Sequence, residues 1–159
     1  MQEDIMKLKQ GICILAALSA TCAHAADIKE TSVFGSLLNY EDQNYDGLTD
    51  YQKFIGFQQT WDTGHTLHPE LSIEVSDDSV YYIHGGMRVY WNDFSFAFGP
   101  GYYHQGNGPD LGGHTQFKSN IRYDLADHWY IGIYHLSNAG LKDHNPGANG
   151  IAIGYNFSA

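Results

Sequence analysis

From about residue 31 the chain alternates large apolar residues with small or polar ones at a period of two, which is the side-chain period of a β-strand. Turn residues divide the alternation into eight segments, at about 31–40, 51–61, 69–76, 80–91, 94–104, 113–125, 128–138 and 150–157. No apolar stripe of helical period, internal repeat or second-domain linker interrupts them.

The two faces differ in a way that predicts the architecture. In the fifth segment Phe94, Phe96, Phe98 and Tyr102 oppose Ser95, Ala97, Gly99 and Gly101. In the sixth, Phe117, Ile121, Tyr123 and Leu125 oppose Gln116, Lys118, Asn120, Arg122 and Asp124. The second, third and fourth segments repeat the contrast. Eight strands close around an interior just wide enough for side chains. A ring of Phe, Trp and Tyr from every strand would overfill it, whereas Gly, Ser and Ala with a few paired charges fit. The apolar face therefore points outward, toward hydrocarbon, and the pattern predicts an all-β, eight-stranded antiparallel transmembrane β-barrel. Trp61, Trp91, Trp129 and Tyr102, near strand ends, are expected at the membrane interfaces. The competing arrangement is a soluble β-sandwich.

On this reading the interior holds Glu70, Glu74, Arg88, Lys118, Arg122 and Asp124. Buried charges need partners, so a cross-barrel ion-pair network closing the lumen is expected rather than a pore. Connection lengths orient the barrel. The turns at Asn92-Asp93 and Ala126-Asp127 are tight, while 41–50, 105–112 and 139–149 are longer and fall on the outer side. The connections at 62–68 and 76–79 fit that rule less well. The seventh strand then ends near the outer leaflet.

The first 25 residues read as a cleaved signal peptide. Lys7 and Lys9 precede an apolar run from Ile12 to Ala20, followed by Ala23-His24-Ala25. The barrel domain is then 26–159, in the outer membrane of a Gram-negative cell. A lipoprotein reading through Cys22 is weaker, because Ser19-Ala20-Thr21 lacks the expected Leu. Cys13 and Cys22 both fall in the removed segment, which leaves no disulfide or thiolate chemistry to the mature chain. The formal charge of −10 and the lack of a basic patch argue against nucleic acid.

One stretch carries candidate chemistry: "YHLSNAGLKDHNPGANG", from Tyr134 to Gly150. His135 and Ser137 share the lipid-facing parity of Ile131 and Ile133. On the eighth strand Asn149 shares the parity of Ile151 and Ile153. Polar groups facing hydrocarbon cost free energy unless they lie at the interface or have a task. A Ser hydroxyl needs a base to take its proton, and the base needs a third group to orient it. If strands seven and eight form a hairpin, Asn149 lies across from His135 and can serve as that group. Asn138, Asn145 and the Gly140 backbone are candidate oxyanion donors. The bland alternative is a polar cluster in the headgroup region.

The stretch "HLSNAGLKDHNPGAN" resembles the signature of the lipid A 3-O-deacylases, the PagL family of acyloxyacyl-hydrolase-like outer-membrane barrels. The resemblance is most specific from His135 to Asn149. It extends more loosely through "FGPGYYHQGNGPDLGGHTQFKSNIRYDL" and "LHPELSIE". It implies a serine esterase that removes an ester-linked acyl chain from lipopolysaccharide without a metal or cofactor. Ser137 would be its nucleophile, His135 its general base and Asn145 an oxyanion donor, with Gly140 beside it. The family typically places a Glu fourteen residues after the His, and this chain has Asn149 there. Asp143 is a candidate substitute for that carboxylate. Two further readings stay open: a non-catalytic structural or adhesion barrel, and an acyltransferase. A homodimer is compatible with each.

Two features are set aside. "DQNYDGLTD" has Asp42, Asn44, Asp46 and Gly47 in the order of a calcium loop, but its twelfth position is Lys53 rather than Glu. His65 and His68 flank a turn without the company of a zinc site.

Overall fold

The computed structural model describes residues 27–41, 49–76, 78–126, 128–141 and 147–157. The signal-peptide assignment, residues 42–48 of the calcium-like stretch, Asp143 and Asn145 lie outside them. Eight strands follow in order: β1 (Asp27–Glu41), β2 (Thr49–Asp62), β3 (His68–Val75), β4 (Tyr81–Trp91), β5 (Phe94–His104), β6 (Thr115–Asp124), β7 (Trp129–Ser137) and β8 (Ala148–Asn156). Each pairs antiparallel with the next, and β8 pairs with β1, so the sheet closes into a barrel with no free edge. All eight predicted segments are strands.

The alternation also points the way it was read. Val33, Leu37, Ile55, Phe57, Ile73, Met87, Phe96, Phe98, Ile121, Ile133, Ile151 and Ile153 all lie exposed on the outer wall. Ile55 keeps 73% of its surface open. A belt of this size would not be stable against water. Trp91, Trp129 and Tyr102 belong to it, but Trp61 does not: it is 4% exposed. β1 carries a bulge opposite it: Ile28 pairs with Trp61 and Glu30 with Thr60, so Lys29 is the extra residue. The ladder partner Ile28 stays exposed, while Thr60 and Trp61 are both buried.

The lumen is filled. Arg88 pairs with Glu70, and its Nη1 donates to Ser95 Oγ at 2.6 Å. Lys118 pairs with Glu74 and lies 4.6 Å from the centre of the Tyr134 ring. Arg122 holds Glu30 through both terminal nitrogens and reaches Asp124 at 2.9 Å. The expected network is present, with Glu30 as an added member. Asp124 lies at its edge, about a third exposed.

The lumen also holds more aromatic volume than a lining of Gly, Ser and Ala suggests. Phe34, Tyr82, Tyr103, Tyr130 and Tyr134 are all buried. They fit because several face a glycine directly across the ladder: Phe34 opposite Gly56, Tyr134 opposite Gly150, Tyr130 opposite Gly154. A Cβ at any of these three glycines would overlap the facing ring. Large residues and gaps interdigitate, as close packing demands.

Described residues of the connections after β3, β5 and β7 meet at one rim. Asn107 N–H donates to Asp78 O at 3.0 Å, and Gln52 Nε2 to Asp78 Oδ2 at 2.9 Å. Leu111, from the connection after β5, is fully buried. The candidate chemistry lies at this rim.

Candidate functional site

The β7–β8 hairpin sets His135 directly opposite Asn149. Both are exposed on the outer wall. His135 Nδ1 lies 3.0 Å from Asn149 Oδ1. An amide oxygen only accepts, so Nδ1 carries the proton in this bond. In the neutral ring Nε2 is then unprotonated and able to receive a proton. The hydrogen bond thus fixes the tautomer that a general base requires.

Ser137 follows two residues later with the same outward parity, at the last position of β7. Its Oγ accepts from Ala139 N–H at 3.1 Å. The chain then reverses in a tight turn. Leu141 N–H donates to Asn138 O at 3.0 Å, and the two central residues are left-handed, Ala139 at φ 53 and Gly140 at φ 77. Positive φ at both centres is the type I′ pattern. Glycine adopts it freely, whereas alanine does so against steric resistance. The strain at Ala139 sits next to the candidate nucleophile.

Asn138 faces the other way. It is 1% exposed; Nδ2 donates to Gly112 O at 3.1 Å, and Oδ1 accepts from Gly140 N–H at 2.9 Å. Its amide is thereby committed to tying the end of β7 to the connection after β5. The Gly140 N–H is engaged in the same turn. Of the residues singled out from sequence, the fold brings His135 and Asn149 into contact and places Ser137 beside them. It turns Asn138 inward and sets Gly140 in the reversal.

Three residues join the site that sequence reasoning did not single out. Ser119 on β6 lies directly opposite His135 and outward. Asn120 donates through Nδ2 to Ile133 O at 3.2 Å and accepts at Oδ1 from Arg88 Nη2 at 3.0 Å, so it links the lumenal charges to the wall beneath His135. Gly147 has φ 66, and a Cβ there would stand 3.1 Å from His135 Cε1. Register would have revealed Ser119, since it shares outward parity with Phe117 and Ile121 at the level of His135. Beside the pair runs an open groove of about 590 Å³ along the outer wall. Phe96, Ile121 and Ile133 supply its apolar surface, and Ser119, His135 and Asn149 its polar end.

A closed eight-stranded barrel with an apolar outer wall, a charge-filled lumen and a His-Asn pair beside a serine at one rim defines a small class of barrel proteins. Within that class the chain belongs to the lipid A 3-O-deacylase (PagL) family, whose family model matches residues 37–158. No curated protein matches the sequence. Among solved structures, the solution NMR structure of the de novo designed TMB2.3 is similar with a TM-score of 0.51 at 9% identity, over 84% of this chain and 98% of that one. The crystal structure of the outer membrane enzyme PagL is similar with a TM-score of 0.48 at 15% identity, over 79% of this chain and 99% of that one. The likeness to TMB2.3 shows the fold alone.

Proposed function

We propose that this chain is an integral outer-membrane esterase that removes the ester-linked 3-O-acyl chain of lipid A. The observation that carries the reading is the His135–Asn149 hydrogen bond on an outward wall, two residues from Ser137. An ester within a lipid leaflet reaches such a site without leaving the membrane. The groove along Phe96, Ile121 and Ile133 offers its acyl chain a path.

In this mechanism Ser137 Oγ attacks the ester carbonyl carbon, and its proton passes to His135 Nε2. The carbonyl oxygen becomes an oxyanion, which the family resemblance assigns to Asn145. Collapse breaks the bond to the sugar oxygen, which leaves as an alcohol with the proton from His135. Water then attacks the Ser137 acyl ester, His135 again taking and returning a proton. The products are a free fatty acid and regenerated Ser137. No step uses a metal or cofactor. Asn149 orients the imidazole but offers no negative charge to the imidazolium, so this chain is expected to be slower than a carboxylate-bearing relative. One chain supplies Ser137, His135 and Asn149, so the chemistry needs no second copy.

The test is labelling of the folded barrel with a fluorophosphonate, which reacts with activated serines. One adduct on the peptide containing Ser137, absent in Ser137→Ala and much reduced in His135→Ala, is expected. Labelling that survives Ser137→Ala contradicts the assignment.

A further inference from the structure

Lys53 stands on β2 with the outward parity of Ile55 and Phe57, and it is exposed on the outer wall. The other described cations are accounted for elsewhere. Arg88, Lys118 and Arg122 are paired inside the lumen, and Lys29 lies over the Tyr90 ring at the far end of β1. A charge on a lipid-facing wall costs free energy that falls toward the interface. Among the described residues no carboxylate lies within ion-pair distance of Lys53 to offset that cost.

Its place relative to the site is given by the register. Lys53 pairs with Leu37, Leu37 with Ile151, and Ile151 with Ile133. One step toward the rim, Asn39 pairs with Asn149 and Asn149 with His135. The strand of Lys53 is therefore three strand spacings from the strand of His135, roughly 14 Å along the wall. Between them lies a second outer groove of about 480 Å³, with Leu37, Ile151 and Ile153 as its apolar surface and Lys53 at its edge. One groove thus opens at the His135–Asn149 pair, and a second lies on the wall further from the rim and ends in a cation.

We infer that the β8–β1–β2 wall holds the rest of the lipid being cleaved. A second acyl chain fills the groove of Leu37, Ile151 and Ile153, and the Lys53 ammonium pairs with an anionic phosphate on the headgroup. The headgroup itself crosses Asn149 and Asn39. The ligand class is a phosphorylated glycolipid bearing several acyl chains, with its phosphate about three strands from its scissile ester. The inference rests on the proposed esterase reading for the position of that ester. Lys53 is a positioning residue in it and touches no reacting atom.

The experiment measures binding of two probes to the Ser137→Ala barrel in detergent micelles: phosphorylated lipid A and the same lipid after phosphatase treatment. Adding Lys53→Met is expected to weaken binding of the phosphorylated probe about fivefold to tenfold, as for a partly desolvated charge-assisted contact. Binding of the dephosphorylated probe stays unchanged, and Lys53→Arg restores the preference. In the Ser137-intact enzyme Lys53→Met raises KM by a similar factor and leaves kcat in place. Methionine suits a lipid-facing position, and heat-modified gel mobility verifies that the barrel is folded. Equal weakening for both probes would mean that Lys53 only packs, and no change for either would mean that it touches no ligand. Failure of both probes to bind the Ser137→Ala barrel would likewise overturn the inference. Because binding is read without turnover, a barrel that binds selectively but never cleaves would overturn the esterase reading and leave the Lys53 contact standing.

Discussion

At the scale of single residues, the site is a histidine whose proton is placed by an amide. Asn149 Oδ1 holds Nδ1–H and frees Nε2, but in the proposed mechanism a neutral amide leaves the transition-state imidazolium without a counter-charge. Asn149→Glu is therefore expected to raise kcat for acyl release, by about tenfold or more, since losing such a carboxylate elsewhere costs orders of magnitude. Asn149→Leu should lower it below the wild type. Steady-state fatty-acid release measures both, and an Asn149→Glu enzyme slower than the wild type would show that the imidazole is oriented otherwise. Ala139 offers a second residue-level test. Its left-handed backbone is strained, so Ala139→Gly is expected to stabilise the barrel by roughly 1 kcal/mol, read as a higher urea midpoint. The parity of His135, Ser137 and Asn149 was legible from the chain, because alternation alone puts them beside Ile131, Ile133 and Ile151. The inward facing of Asn138 follows from the same alternation, since it shares the parity of Tyr134 and Leu136, but its partner does not. That partner is Gly112, 26 residues away, which no local pattern brings into reach.

At the scale of the strands, the glycines opposite rings decide how the hairpin that carries the site is packed. Gly150 follows Asn149 and faces Tyr134, which precedes His135. A methyl at Gly150 would overlap the Tyr134 ring. Gly150→Ala should therefore cost about 1–3 kcal/mol as overpacking, with a matching loss of activity as the hairpin shifts beneath His135. Urea unfolding followed by tryptophan fluorescence measures the first part. Ser137 Oγ and the Ala139 turn follow from the same hairpin. Strand number, facing and the β7–β8 pairing could be anticipated because period-two alternation is strong in all eight segments. The Lys29 bulge could not be, since it inserts one residue near the start of the first strand.

At the scale of the whole molecule, opposite solvents act on the two surfaces of one sheet. The outer wall is apolar, and the lumen is polar and ion-paired. Glu30 is the member of the lumenal network that binds both terminal nitrogens of Arg122. Its removal leaves the buried guanidinium with Asp124 as its one carboxylate among the described residues, so Glu30→Leu is expected to destabilise the barrel by about 3 kcal/mol, measured in the same unfolding assay. A Glu30→Leu barrel as stable as the wild type would mean that the pair is replaceable by packing. Glu30 is not legible in the alternation, because the first segment's regular pattern begins at Thr31, one residue past it. The lumenal fill also predicts no ion conductance in planar bilayers.

The most direct test of the central claim is mass spectrometry of lipid A from a Gram-negative host expressing the wild type or, separately, Ser137→Ala. Loss of one hydroxyacyl mass with the wild type, and intact lipid A with Ser137→Ala, is the predicted result. Unchanged lipid A in both, with each barrel folded in the outer membrane, would contradict it.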